Sequence, residues 1–468
     1  MHALSRFRHR NSALLGAIFT LAWPAMLEQA LQTIVQYADS AMVGQLGAQA
    51  TAAVGLTAPV NWLVNSPMFA MGIGFLACIS RAIGAKDEKT ARTAASQSIF
   101  AVLILGTVIG VLTVCLSSLI PGWLNADGDI RVIAGQYFAI VSLPMIFRAS
   151  TIIFSAALRA AGDTRTPMLV SAAMNVINIV LNFFLIFPTR TVALLGMQVM
   201  IPGAGMGVIG AAIATAISYV VSGVLMFLAL WRSPQLSPRG TKIRWDSHVM
   251  GQCARVGVPV VFTRIGVSLG HVVFLSQVTV LGTVPLAAHS LALTAEEAIY
   301  LPGYGMQAAA STLAGNAVGA RDEQKLMRVS NLILASAVLL MTLTGLFLFL
   351  FPAAMLSLFT PDTAVIEAGA IVLKIIAVTE PVFAAGIIWE GIFNGVGDTR
   401  APFLISMATT WGVRILLTTI CVHVLHLGLT AVWLCMALDN VARAALLGIR
   451  FYRGRWKRKL NLLPAQTA

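Results

Sequence analysis

Seven carboxylates interrupt the apolar stretches of this 468-residue chain: Glu28, Asp39, Glu296, Glu297, Glu380, Glu390 and Asp439. At the centre of a bilayer a charged carboxylate costs about 2.5–3.5 kcal/mol on insertion scales, so each must face protein or water, or carry a proton. Asp39 stands out because it ends a stripe. Glu28, Gln32, Gln36 and Asp39 are spaced by four, four and three residues, which places them on one face of a helix. A second stripe, Asn175, Asn178 and Asn182, is spaced by three and four. Neither stripe belongs against lipid, and facing each other they would form one polar site. Burial in a low dielectric disfavours the charged form of a carboxylate. Asp39 is therefore the first candidate to take a proton at one face of the membrane and give it up at the other. The spacing equally admits a structural Asp39 that bonds to the asparagine helix and locks it.

The other carboxylates divide by context. Glu296 and Glu297 are adjacent, so they cannot share a helix face; Glu297 is a candidate to attract a cationic substrate, and a structural hydrogen bond is the competing reading. Glu380 precedes Pro381 and could satisfy backbone groups that the proline frees. Glu390 is read as structural. Asp439 and Arg443 lie four apart, the spacing of an ion pair on one helix. Glu28 and Gln32 are weaker candidates for binding a cation or substrate. Pro24 and Pro259 each remove a backbone donor early in a long helix, so a bend is expected at both. His423 and His426 lie three apart with no third ligand evident, and no metal site is expected. No GxxxxGK[ST] loop occurs, which argues against direct ATP drive.

These residues must be held by helices that cross a membrane. The chain is 58% apolar and only 10% charged, against roughly 25% charged in an ordinary soluble domain. A bilayer core needs about 20 apolar residues per helix, and twelve such stretches are readable. In the first half they are approximately 14–43, 50–80, 93–119, 131–158, 167–188 and 206–231. In the second they are 249–278, 285–317, 328–352, 365–393, 402–424 and 428–450. The formal charge of +13 does not point to nucleic acid, because the basic residues are confined to short segments between apolar stretches. Five scattered cysteines give neither a disulfide framework nor a metal spacing.

The two halves repeat at a constant offset of 235 residues. Pro24 maps to Pro259, Leu46-Gly47 to Leu281-Gly282, and Gly84-Ala85 with Asp87-Glu88 to Gly319-Ala320 with Asp322-Glu323. Gly162-Asp163-Thr164-Arg165 and Pro167 map to Gly397-Asp398-Thr399-Arg400 and Pro402. The expected architecture is all-α: two parallel six-helix lobes, 1–231 and 249–450, related by a pseudo-two-fold along the membrane normal. Residues 232–248 would be the cytoplasmic connector and natural hinge, and 451–468 a basic cytoplasmic tail. Basic residues set the orientation. Arg6, Arg8 and Arg10, then Arg81, Lys86, Lys89, Arg92, Arg159 and Arg165, mark one side, as do Arg232, Arg239, Lys242, Arg244, Arg321, Lys325, Arg400, Arg453, Arg455, Lys457, Arg458 and Lys459. The alternate loops are nearly free of them, Arg190 excepted. Both termini are expected in the cytoplasm of a bacterium, with the protein in the inner membrane. A parallel repeat of this kind suits alternating access by rocking of the lobes.

Several motifs resemble the multidrug and toxic compound extrusion (MATE) transporters. They are Trp23-Pro24; Tyr37-Ala38-Asp39-Ser40-Ala41-Met42-Val43-Gly44-Gln45-Leu46-Gly47; the paired Gly-Asp-Thr-Arg-x-Pro; and Asn175-x-x-Asn178. The chain looks most like the DinF-like branch. The resemblance implies two six-helix lobes and efflux of amphipathic, often cationic, small molecules against a proton or sodium gradient, with bending of the first helix accompanying protonation. Some members have an aspartate where Asn182 stands, so a two-carboxylate site is in doubt, and Asp39 would work with Asn178 and Asn182 as partners. Positions that hold acids in sodium-coupled relatives correspond to Val267 and Phe383, which favours protons without excluding sodium. The expectation is thus a monomeric, cofactor-free exporter rather than an enzyme. The alternative is a flippase for lipid-linked precursors, which would want several cations lining its cavity.

Overall fold

The computed structural model describes residues 2–124, 128–194, 197–239, 243–454 and 456–457. Of the basic residues used for orientation, Lys242, Arg455, Arg458 and Lys459 lie outside them. Long helices dominate. The first half contains α1 (His2–Gly44), α2 (Ala48–Gly84), α3 (Glu88–Leu116), a short α4 (Ile120–Trp123), α5 (Gly128–Ser142), α6 (Met145–Ala160), α7 (Arg165–Leu185) and α8 (Gly207–Arg232). The second contains α9 (Ser247–Thr279), α10 (Thr283–Gly319), α11 (Glu323–Leu350), a short α12 (Pro352–Ser357) and α13 (Thr363–Val396). It ends with α14 (Arg400–Thr409), α15 (Leu416–Thr419) and α16 (Leu429–Tyr452).

Among the described residues ten helices are long and apolar enough to cross a bilayer, counting the run Arg400–Val424 as one, and the pair α5 and α6 makes an eleventh span bent by 54°. That bend falls at Leu143-Pro144, where the proline cannot continue the hydrogen-bond ladder. The remaining expected stretch, 285–317, coincides with α10, 37 residues long and bearing the adjacent Glu296 and Glu297, which is not among those apolar helices. Each of the twelve expected stretches is thus met by a helix or a bent pair. Span eleven is irregular: two π-helical segments, Thr410–Ile415 and Ile420–Val424, flank α15, and such segments recur at functional sites. Both α1 and α9 run through Pro24 and Pro259 without a break in helix.

One element was not anticipated. Between α7 and α8 the chain forms an antiparallel hairpin, β1 (Pro188–Leu194) with β2 (Met197–Ala204). Gly205 and Gly207, both at positive φ, return it to the helix.

The contacts separate into two compact units. One comprises residues 1–26, 76–87 and 252–468; the other comprises 27–75 and 88–251. The division enters α1 two residues past Pro24. In the first unit Ile18, Leu21 and Ala22 pack with Met306, Ala310, Trp389, Phe393 and Phe451. In the second, Val43, Ala50, Ile186, Val208 and Ala211 form a core against which Tyr137 packs.

Within the first unit the repeat becomes a physical crossing. A Cβ on Gly84 would land on the Asn316 carbonyl oxygen, and one on Gly319 would land on the Arg81 carbonyl oxygen. Positions 81 and 316, like 84 and 319, differ by 235, so these are the same contact made twice in reciprocal sense. Ser80 and Gly315, the preceding equivalent pair, meet between them. The helices touch backbone to backbone, which only glycine permits.

Candidate functional site

The two polar stripes meet. In the second unit the Asn182 side-chain amide, on α7, donates to Asp39 Oδ1 on α1 at 2.6 Å and to Asn178 Oδ1 at 3.1 Å. Asn178 in turn donates to Thr215 Oγ1 on α8 at 3.4 Å. Asn175, Asn178 and Asn182 are all buried, and the side-chain amide of Asn175 and the Oδ1 of Asn182 have no hydrogen-bond partner among the described residues. The periodicity of α7 causes this: steps of three and four put the amides on one face, and that face turns toward α1 and α8 rather than toward lipid. A buried polar group without a partner costs about 1–3 kcal/mol, and these amide atoms leave hydrogen-bonding capacity unused on this helix face. Asp39 itself is half-buried and receives one of the several hydrogen bonds a carboxylate can accept. The site therefore offers one carboxylate and three amides, an oxygen-rich set able to hold a proton or a small cation.

The rest of the α1 stripe goes elsewhere. Glu28, 6% exposed, is ion-paired with Arg159 at 3.1 Å and accepts from Ser171 Oγ at 3.2 Å. Glu28 thereby ties α1 to the end of α6 and the start of α7. Gln32 and Gln36 are exposed on the α1 surface. Sequence reasoning used Arg159 only for orientation and missed its partnership with Glu28, because nothing in the spacing announces a contact across 131 residues. Thr215 was missed for the same reason.

In the first unit Glu296 is buried and Glu297 is half-exposed, as adjacent residues on a helix require. Glu380 is fully buried, and neither carboxyl oxygen has a hydrogen-bond partner among the described residues. Gly345 on α11 makes room for its side chain. Asp439 pairs with Arg443 at 2.9 Å, as the spacing suggested, and also with Arg414 at 2.8 Å. Arg414 sits in the first π-helical segment, bonds to Asn440 Oδ1 at 3.3 Å and lies over the Phe274 ring at 5.6 Å. Phe274 is the repeat equivalent of Asp39. The two halves thus place unlike chemistry at matched positions: a carboxylate among amides in one, a guanidinium over a phenyl ring in the other.

The Gly-Asp-Thr-Arg loops act as helix punctuation. Gly162 and Gly397 hold positive φ, Asp163 Oδ1 accepts from the Thr166 amide at 3.0 Å, and Asp398 pairs with Arg450 at 2.8 Å. His423 bonds to Gln277 at 2.5 Å, and no group of three potential metal ligands occurs among the described residues.

Against known proteins, the MatE family profile matches residues 24–184 and 259–420, one match in each half. The chain is 30% identical to the "Probable multidrug resistance protein NorM" of Thermotoga maritima, over 95% of this chain and 94% of that one. It is 23% identical to the "Multidrug export protein MepA" of Staphylococcus saprophyticus, over 95% of each. Among solved structures it is similar to the outward-facing conformation of a multidrug resistance MATE family transporter of the MOP superfamily. That likeness has a TM-score of 0.85 and 25% identity, over 95% of this chain and 96% of the other.

Proposed function

The chain belongs to the MatE family, and on that premise we propose that it is a proton-coupled exporter of amphipathic, often cationic, small molecules with Asp39 as its coupling carboxylate. It is a multi-pass membrane transporter and not an enzyme. The single observation that carries the coupling assignment is the 2.6 Å hydrogen bond from Asn182 to Asp39, within a set of asparagines that retains free amide atoms. Asn182 holds the carboxylate, with Asn178 and Asn175 on the same helix face, and an amide suits both protonation states, since it can donate to a carboxylate and accept from a carboxylic acid. Glu28 serves as a lock between α1, α6 and α7, Gln36 belongs with Asp39 to the proton-coupling stripe, and Gln32 and Glu297 are surfaces for substrate.

The two sequence halves, 1–231 and 249–450, are the moving lobes in this reading, with 232–248 connecting them and both termini in the cytoplasm of a bacterium. Pro24 supports a hinge in α1, because the helix changes compact unit two residues beyond it. The guanidiniums of Arg159, Arg414 and Arg443 are each spent on a carboxylate, which speaks against a flippase cavity lined with free cations. Accumulation of a cationic dye by everted membrane vesicles tests the assignment. Uptake should collapse with a protonophore and persist when only the sodium gradient is dissipated; the opposite pattern would make the coupling ion sodium.

A further inference from the structure

We propose that Cys421 and Cys435 are a redox staple that closes into a disulfide between spans eleven and twelve. Their sulfurs stand 3.8 Å apart, one on the second π-helical segment and one on α16. The π-helical turn ends at Val424, only three residues past Cys421, and the chain folds back at once: the Leu427 amide donates to the Cys421 carbonyl at 2.8 Å. This tight return holds the two thiols in register. Cys421 is half-buried, so a reagent can approach it, whereas Cys435 is 7% exposed and reached through its neighbour. To bond, the sulfurs need only close to about 2.05 Å.

Location supplies the second argument, and it rests on the topology proposed above. The loop 425–428 joins spans eleven and twelve on the side away from the basic segments, which is the oxidising side of a bacterial inner membrane. Two further buried thiols, Cys78 and Cys253, interact with each other on the side of the basic segments, where Cys78 Sγ accepts from Arg81 at 3.6 Å. That side faces the reducing cytoplasm, where thiols persist. Of the two pairs, one is placed to oxidise and the other is not.

Closure proceeds by exchange with an oxidant of the disulfide class. The Cys421 thiol gives up its proton and attacks the oxidant's disulfide, forming a mixed disulfide. The Cys435 thiolate then attacks Cys421 Sγ and releases the oxidant as a dithiol. Two thiols lose two protons and two electrons, and the oxidant gains them. The new bond would fix the outer end of the irregular span eleven to α16, two turns outside the place where Arg414 and Asp439 already join them.

Differential alkylation of the full-length protein from intact cells tests this. Free thiols are blocked under denaturing conditions with a light maleimide, and disulfides are then reduced and labelled with a heavy one. Cys421 and Cys435 should carry the heavy label, with a linked peptide about 2 Da lighter than the sum of its thiol forms. Cys78, Cys253 and the exposed Cys115 should carry the light label, and Cys435→Ser should return Cys421 to light. Light label on both cysteines, even after treatment with copper phenanthroline, would overturn the pairing. Heavy label only after that treatment would overturn the staple in the cell. Labelling of a His426→Cys variant by a membrane-impermeant maleimide then shows whether the topology, rather than the pair, had failed.

Discussion

Asn182 donates to Asp39 at 2.6 Å across 143 residues of sequence, and the same amide nitrogen donates to Asn178 one turn earlier on α7. One side chain therefore holds both the carboxylate and the amide row that surrounds it. Replacing Asn182 by Ala removes the donor and leaves Asp39 and Asn178 with lost bonds, at about 1–3 kcal/mol for each group left unsatisfied. Thermal unfolding in detergent should fall accordingly, and dye efflux should drop at least tenfold. Asn182→Gln, which keeps the amide, should recover part of both.

Glu28 is a different case. Its bond to Arg159 is largely buried, and removing one partner of such a pair costs about 3–5 kcal/mol. Glu28→Ala and Arg159→Ala should each lower the unfolding temperature. The double variant should lose less than the sum of the two, as residues in contact do. Protons exchanged per drug molecule should stay unchanged in whatever protein remains folded. A changed stoichiometry would move Glu28 into the coupling site.

The crossing of α2 and α10 depends on the absence of two side chains. Gly84→Ala and Gly319→Ala each force a methyl onto a backbone carbonyl, and overpacking of this kind costs about 1–3 kcal/mol. Because the contacts are reciprocal, the two variants should impair stability and transport to similar extents. Gly16→Ala, where nothing lies within 4 Å of the new Cβ, is the matched control and should be neutral.

The connector is bolted down on one side. The fully buried Gln97 on α3 donates to the Arg244 carbonyl at 2.7 Å and accepts from the Asp246 amide at 3.0 Å, while Trp245 meets Phe100 edge to face at 5.8 Å. Gln97→Leu should release residues 244–246 and raise backbone hydrogen exchange there by about tenfold or more, which lowers the free energy of local opening by at least about 1.4 kcal/mol. Exchange in α7 should not change.

Much of this was legible in the chain, for identifiable reasons. Helix existence followed from hydropathy, since a bilayer demands long apolar runs, and the polar stripes of α1 and α7 followed from a 3.6-residue period that forces Asp39 and Asn182 onto definite faces. The Asp439–Arg443 pair was readable because both residues share one helix. What spacing could not reveal was any contact between helices distant in sequence: Glu28 with Arg159, Asn178 with Thr215, Arg414 with Asp439. The hairpin at 188–204 was passed over because hydropathy windows wide enough for a helix average away a strand's alternation. The reciprocal glycines were visible as a repeat, but that they are repeated because they touch each other appears only in three dimensions.

Asp39 carries the account, and the most direct test is drug-driven proton release from everted vesicles containing equal amounts of wild-type protein and Asp39→Asn. An asparagine preserves the side chain's shape and can still bond to Asn182, but it cannot carry a proton across the membrane. The account predicts that the variant binds drug and releases no protons. Drug-for-proton exchange at the wild-type rate in the variant would contradict it, and would leave Asp39 as no more than the partner that fastens α1 to α7.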